Sequence, residues 1–394
     1  MQKRLLFYEL KKHITHKNAL IITGMRQVGK TTLMRQLYDE INTAKLWYDL
    51  DNPLDQKIFE SLDYHSIYAY LTTQVTDHKQ RLTVFLDEVQ NLPQITKVIK
   101  FLLDQYGVKF IITGSSSFYL KHLFPESLSG RKFLYELYPL AFREFLYFKN
   151  ILSFTQANNR SLHEQLLSAN EIEYIRRKQY YDEYVAFGGF PEVVMNPDSA
   201  TKKLILKNIF AIFFEKDLQL LSDYKDMREL RDLILLLVPR VGSMLDITKI
   251  ASELGVERTK IYAYLEFLQK TFFIRLIPKY TLSIDRSVAG GKKIYFTDTG
   301  ILNTIGTVND GQQFENAVMN QLILYGTVSF YNQRNVTEID AIINKDTAIE
   351  IKLTGTQNDY VKLLKWANKI HINNVWIMSK THRSFAHCAL PHFL

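Results

Sequence analysis

The pattern of apolar and polar positions predicts a parallel α/β sheet in residues 1–150. Helix-like segments separate most of the short apolar runs, which cover residues 19–22, 45–50, 82–86, 108–113 and 132–137. Polar residues follow several of these runs. Because the carboxyl ends of parallel strands meet at one edge of a sheet, we expect those polar residues to face a common pocket.

A glycine-rich segment lies between the first predicted strand and a helix-like segment that ends near Glu40. Its sequence, GMRQVGKTT, matches the pattern G-x-x-x-x-G-K-[ST] of a P-loop. The glycines allow a turn whose N–H groups face phosphates, Lys30 reaches the β- and γ-phosphates, and Thr31 can ligate Mg²⁺. ATP and Mg²⁺ are therefore the expected ligands. The predicted nucleotide-binding residues are Gly24, Met25, Arg26, Gln27, Val28, Gly29, Lys30, Thr31 and Thr32.

Two acidic residues follow the apolar run at residues 82–86, as in a Walker B motif. Asp87 is predicted to hold Mg²⁺, usually through water, and Glu88 to polarise the water that attacks the γ-phosphate. The next strand ends at Thr113 and precedes Ser115, and either hydroxyl is a candidate to hydrogen-bond the γ-phosphate or that water. The alternative is that a serine after this strand caps the N-terminus of the next helix.

Arg131 follows a Leu-Ser-Gly sequence and precedes the last predicted strand of this region. Phosphoryl transfer needs a fixed cation to stabilise the charge of the transition state. Arg131 is a candidate for that cation, either in its own subunit or across an interface between subunits.

Residues 226–282 have helix-turn-helix spacing. A short helix is predicted to end at Leu254, Gly255 makes the turn, and a longer helix runs from Glu257 to Lys270. Basic residues near the second helix and the following wing form the predicted DNA contacts, namely Arg258, Lys260, Lys279, Lys292 and Lys293. Winged helices also dock proteins, so a protein partner remains the alternative.

These motifs together resemble a large group of bacterial and archaeal AAA-type ATPases that carry an uncharacterised C-terminal region. The resemblance extends over nearly the whole chain, and its later matches are FGGFP at residues 187–191 and YFTDTG at residues 295–300. It implies an AAA-type fold, ATP binding and assembly into a homo-oligomer such as a ring. The paired glycines, Gly188 and Gly189, are interpreted as a backbone turn and not as a second phosphate site, because no Lys-Thr pair follows them.

The last part of the chain resembles the PD-(D/E)XK nuclease core. The resemblance implies that Asp340 and Glu350 hold a divalent metal, that Lys352 orients water or phosphate, and that Glu315 adds a carboxylate from a helix. A solvated strand face is the alternative, since alternating Glu and Lys residues are common on exposed strands.

We therefore predict an α/β protein in four parts. They are a P-loop (ASCE/AAA-type) core at residues 1–150, a helical connector at 151–225, a winged helix at 226–282, and a C-terminal α/β restriction-endonuclease-like domain at 283–394. The expected function is ATP hydrolysis coupled to DNA or to a protein partner. The alternatives are an ATP-regulated metal-dependent endonuclease and a nucleotide-dependent switch with low turnover.

Composition bears on the partners of the protein and on its compartment. The net charge of +8 over 394 residues permits a nucleic-acid partner without requiring one. A single cysteine, Cys388, excludes an internal disulfide framework. No apolar run approaches the roughly 20 residues of a membrane span, so we expect a cytoplasmic protein without a membrane partner.

Overall fold

The computed structural model describes residues 2–77, 79–114, 128–158, 161–168, 170–217, 224–281, 290–333 and 337–394. Backbone contacts divide the chain into two compact units. The N-terminal unit comprises Met1–Tyr138 and Lys270–Phe272, and the C-terminal unit comprises Pro139–Gln269 and Phe273–Leu394. No helix in the described ranges is long and apolar enough to cross a membrane.

The N-terminal unit is built on a five-stranded parallel sheet in the order β2-β3-β4-β1-β5. All five strands lie where the apolar runs predicted them, which confirms the parallel α/β core. The strands are β1 (Ala19–Thr23), β2 (Lys45–Asp49), β3 (Thr83–Asp87), β4 (Lys109–Gly114) and β5 (Lys132–Glu136). The helices are α1 (Leu5–Lys12), α2 (Lys30–Glu40), α3 (Pro53–Phe59), α4 (Tyr64–Thr73) and α5 (Ile95–Tyr106).

The central strands of this sheet are buried along their whole length. Every residue of β1, β3 and β4 is buried, as expected for a parallel sheet that is covered on both faces. One large apolar core packs against it and includes Ile21, Val84, Ile99 and Phe110. This core fixes the positions of the strand ends, where the predicted site residues lie.

The C-terminal unit begins with a helical region and continues into two sheets. Its helices are α6 (Phe142–Phe148), α7 (Phe154–Ala157), α8 (Leu162–Leu167), α9 (Glu171–Phe187), α10 (Pro191–Met195), α11 (Ser199–Ile212), α12 (Tyr224–Leu237), α13 (Ile247–Leu254), α14 (Arg258–Lys270), α15 (Thr299–Ile305), α16 (Asp310–Leu322) and α17 (Gln357–Lys369). Helices α13 and α14 occupy the two predicted helical segments. Gly255, in a left-handed conformation, ends α13.

The first sheet of this unit is an antiparallel pair, β6 (Ile274–Pro278) and β7 (Lys292–Phe296). The second is a mixed five-stranded sheet in the order β12-β11-β10-β9-β8. Its strands are β8 (Val328–Gln333), β9 (Thr337–Ile343), β10 (Thr347–Lys352), β11 (Asn374–Ser379) and β12 (Cys388–Ala389). The structure thus has the expected C-terminal α/β region, in which α17 packs against β10 and β11 through Leu363 and Ala367.

A buried carboxylate explains two sequence motifs of this unit. Asp298 accepts hydrogen bonds from the backbone N–H groups of Gly189 (2.7 Å) and Ile301 (3.0 Å). Burial raises the pKa of Asp298 to about 6. A Cβ atom at Gly189 would lie 2.0 Å from the carbonyl oxygen of Leu140. Gly189 thus allows a close approach to the Leu140 backbone, and the paired glycines lie between α9 and α10.

Candidate functional site

The P-loop joins β1 to α2 at the carboxyl edge of the parallel sheet. Gly24 and Gly29 have φ angles of 157° and 92°, which favour glycine. A Cβ atom at Gly24 would also lie 2.0 Å from the carbonyl oxygen of Leu137. Helix α2 begins at Lys30, so the loop meets the positive end of a helix, as anion binding requires.

The side chain of Lys30 is buried against this loop. Its Nζ donates hydrogen bonds to the carbonyl oxygens of Gly24 (3.1 Å) and Met25 (2.8 Å). Only 4% of the residue is exposed. These two acceptors are neutral backbone carbonyls, and phosphate oxygens can outcompete them because they carry full charge.

Asp87 lies beside the P-loop and links two threonines. Its carboxylate accepts hydrogen bonds from the hydroxyl groups of Thr113 and Thr31. Burial raises the pKa of Asp87, while these two hydrogen bonds act in the opposite direction. The structure thus brings together the two predicted Mg²⁺ ligands. A hydroxyl and a carboxylate are oxygen ligands of the kind that Mg²⁺ prefers.

Thr113 also contacts Glu88. The Glu88 backbone N–H donates a hydrogen bond to Thr113 Oγ1 (3.2 Å), and its φ angle is 53°. The Glu88 carboxylate accepts a hydrogen bond from the side chain of Gln90. Thr113 therefore positions both acidic residues of the Walker B motif. The other hydroxyl candidate, Ser115, lies outside the described residues.

Arg4 supports the P-loop from the start of the chain, a role that the sequence did not indicate. Its guanidinium donates hydrogen bonds to the carbonyl oxygens of Val28 (2.7 Å) and Tyr138 (2.8 Å). Arg4 is 6% exposed. No local pattern marks this contact, because its partners lie 24 and 134 residues away in the chain.

Arg131 lies at the opposite edge of the sheet from the P-loop. It precedes β5, and its carbonyl oxygen accepts a hydrogen bond from Ala19 at the start of β1. At about 3.3 Å per residue, the five residues of β1 separate the two edges by roughly 15 Å. The side chain pairs with Asp104 at 2.6 Å. The suggested role of Arg131 at the phosphate in its own subunit is therefore wrong, while a role across an interface stays a prediction.

Comparisons with known proteins agree with this geometry. Residues 16–146 match an AAA domain family, and residues 178–312 match a domain of unknown function (DUF8612). An uncharacterized protein of Haemophilus influenzae is 26% identical over 339 residues, which cover 82% of this chain and 79% of the relative. An uncharacterized protein of Methanocaldococcus jannaschii is 28% identical over 373 residues, which cover 90% and 80%.

Solved structures resemble the chain only distantly. A Walker-type ATPase of Pyrococcus abyssi matches with a TM-score of 0.43 and 14% identity, covering 76% of this chain and 94% of that protein. The Aeropyrum pernix Orc1 protein, solved in complex with DNA, matches with a TM-score of 0.31 and 12% identity, covering 76% and 90%. Likeness at this level supports no conclusion about the function of this chain.

The predicted nuclease-like residues meet in the C-terminal unit, together with a cation. Lys293 Nζ lies 3.5 Å from Glu315 Oε1 and 3.6 Å from Asp340 Oδ1. Lys352 Nζ lies 2.8 Å from Glu350 Oε1. Burial and the nearby Asp340 carboxylate raise the pKa of Glu315 to about 7 and that of Glu350 to about 8. Over the described ranges, no group of three or more acidic, His or Cys side chains is arranged to hold a metal ion.

Two of the five predicted DNA contacts are engaged within the C-terminal unit. Lys260 pairs with Asp226 (2.7 Å) and Glu229 (2.6 Å) of α12, and hydrogen bonds from these pairs raise its pKa. Lys293 is buried in the carboxylate cluster described above. The prediction that Lys293 faces DNA is wrong, because only 3% of this residue is exposed. The Lys260 side chain is 33% exposed, so its contact with DNA stays a prediction. Arg258 and Lys292 are exposed, and Lys279 is half-buried.

Proposed function

We propose that this chain binds ATP with Mg²⁺ at the P-loop and hydrolyses it. The observation that carries the proposal is the hydrogen-bonded set of Thr31, Asp87 and Thr113 beside the buried ammonium of Lys30. These residues supply the two charges that a nucleotide triphosphate and its metal need, a cation for the phosphates and an anion for Mg²⁺. The AAA domain match supports the same assignment.

Each side chain has a separate task in this proposal. Lys30 exchanges its carbonyl contacts for the β- and γ-phosphate oxygens. Thr31 and Asp87 would hold Mg²⁺, which neutralises charge that develops on the phosphates. Glu88 accepts a hydrogen bond from the attacking water, and Thr113 keeps Glu88 and Asp87 in place. Gln90 donates to one oxygen of the Glu88 carboxylate, and a carboxylate has a second oxygen that can accept from water.

The substitution Glu88→Gln tests the assignment of the water-polarising group. It keeps the shape of the side chain and removes the base, so we expect nucleotide binding to persist while steady-state phosphate release falls by roughly 10² or more. Glu60→Gln is the matched control, since Glu60 is an exposed residue of the same unit. Unchanged phosphate release in the Glu88 variant would remove Glu88 from this role.

We further propose that ATP turnover is coupled to a partner bound by the C-terminal unit, with DNA as the candidate. Fewer residues support this proposal than the charge pattern suggested. Of the five predicted contacts, only Arg258 and Lys292 are exposed. Removing both charges as Arg258→Gln with Lys292→Gln should lower the affinity for duplex DNA and reduce its salt dependence by ~0.9 in log–log slope for each lost phosphate contact.

Fluorescence anisotropy at two salt concentrations measures this effect, with Lys203→Gln together with Lys207→Gln as a control for the same change of charge at other exposed positions. Affinity that is independent of salt, or equal in the double variant and the control, would discard DNA as the partner of this surface. The alternative is then a nucleotide-dependent switch that docks a protein, for which bound nucleotide and little phosphate release are expected.

A further inference from the structure

Lys293 occupies the centre of the carboxylate cluster in the C-terminal unit. Strand β7 carries this lysine, and only 3% of it is exposed. Its ammonium contacts Glu338 and lies within 3.6 Å of carboxylate oxygens from Glu315 and Asp340. Helix α16 carries Glu315, and strand β9 carries the other two acids. One buried cation therefore joins three acidic side chains from two elements.

Neighbouring groups are arranged around this pairing. The hydroxyl of Tyr295, also on β7, donates a hydrogen bond to Glu315 Oε1 at 2.6 Å. A Cβ atom at Gly242 would lie 2.9 Å from Glu315 Oε2, and the φ angle of Gly242 is 75°, so a larger residue there would be strained and would crowd the carboxylate. Asp340 Oδ2 accepts a hydrogen bond from the backbone N–H of Ile351 at 2.9 Å. The acids thus have donors from the protein itself.

A divalent metal does not fit this arrangement. Mg²⁺ and Mn²⁺ in a nuclease site would be bound by the carboxylates of Asp340 and Glu350. The ammonium of Lys293 is already within ion-pair distance of Asp340, and a second cation within about 4 Å of it would be strongly repelled in a buried site. Lys352 likewise pairs with Glu350. Each predicted metal ligand thus has a lysine of the same chain within ion-pair distance, while the second oxygen of Glu350, Oε2, is buried without a hydrogen-bond partner.

We propose that the ammonium of Lys293 stands in the place of the metal ion, so that the nuclease-like residues form a metal-free ion-pair centre that joins β7 to α16 and β9. This centre holds the C-terminal unit together and does not cleave DNA. The proposal is independent of ATP hydrolysis, because it concerns residues outside the AAA domain.

The test is the thermal unfolding of the full-length, nucleotide-free protein with and without millimolar Mn²⁺. Lys293→Met keeps the length of the side chain and leaves three acids without their cation. Breaking a buried ion pair on one side is strongly destabilising, so we expect the midpoint to fall by on the order of 10 °C. Because the freed carboxylates can then gather a metal, Mn²⁺ should raise the midpoint of this variant.

Lys292→Met is the matched control, since Lys292 is the exposed neighbour on the same strand. We expect neither it nor the wild-type protein to respond to Mn²⁺. A Lys293→Met protein that is as stable as the Lys292→Met control would overturn the proposal. A destabilised variant that ignores Mn²⁺ would overturn the idea that the ammonium stands in a metal position.

A second measurement on the wild-type protein covers the case in which Lys293→Met does not fold. Plasmid nicking in Mg²⁺ or Mn²⁺ should be absent from the wild-type protein, and Glu350→Gln should make no difference. Nicking by the wild-type protein that disappears in Glu350→Gln would show a working metal site and contradict the proposal.

Discussion

Each of the two units brings acidic side chains together, but the partners of these acids differ. At the P-loop, Asp87 is held by hydroxyl groups, and Lys30 contacts backbone carbonyls. In the C-terminal unit, the ammonium of Lys293 contacts carboxylates directly. The second cluster therefore contains a lysine that acts as a counter-ion for its acids.

The partners of a buried lysine distinguish a binding site from a structural ion pair. A lysine held by neutral carbonyls can move to a phosphate at low cost, and an acid held by hydroxyl groups still attracts a metal. A lysine held by several carboxylates would leave unpaired buried charges behind if it moved, at a cost of about 3–5 kcal/mol. The residue types are the same in both units, and their partners decide the chemistry.

The substitution Lys30→Met should produce the largest functional effect and only a small effect on stability. It removes the charge that meets the phosphates, so we expect phosphate release to fall by ~10² or more. The midpoint of thermal unfolding should change little, because the lost contacts are hydrogen bonds to carbonyls. Phosphate release and thermal unfolding are measured beside Lys12→Met, an exposed control. A large loss of stability would break the contrast with Lys293.

Thr113→Val should give an intermediate effect. Valine fills the same space but can neither donate to Asp87 nor accept from the Glu88 backbone. Groups that orient metal ligands in this way typically contribute about 10–100-fold to activity, so we expect phosphate release to fall within that range. Steady-state assays over a range of Mg²⁺ concentrations should show a higher Mg²⁺ requirement. A wild-type Mg²⁺ response would show that Asp87 is positioned without Thr113.

Arg131 should give the smallest effect within a single chain. Its pair with Asp104 is partly exposed and contributes at most about 1 kcal/mol. If Arg131 acts across an interface, mixing Arg131→Ala with Lys30→Met should yield phosphate release, because one complete composite site can form. Mixtures that stay as inactive as the separate variants would exclude the interface role.

The sequence predicted those parts of the structure that depend on neighbouring residues. The P-loop and the Asp87-Glu88 pair are contiguous motifs, and the apolar runs predicted all five strands of the N-terminal sheet. The position of Arg131 could also have been predicted from the sequence. A residue that precedes a parallel strand lies at the sheet edge opposite the P-loop, which follows a strand.

Contacts between distant segments were not predictable from charge alone. Lys260 meets Asp226 and Glu229 only because α14 packs against α12, and Lys293 meets Glu338 only because β7 approaches β9. Arg4 reaches Val28 and Tyr138 in the same way. Basic residues near a helix-turn-helix were therefore assigned to DNA, although two of them form ion pairs with acids of other elements.

The most direct test of the contrast between the two clusters is a count of bound Mn²⁺ by electron paramagnetic resonance. The full-length protein is titrated with and without a non-hydrolysable ATP analogue, alongside Asp87→Asn and Asp340→Asn. We predict one Mn²⁺ per chain that requires the analogue, is lost in Asp87→Asn and persists in Asp340→Asn. A Mn²⁺ ion that binds without nucleotide and is lost in Asp340→Asn would contradict the account.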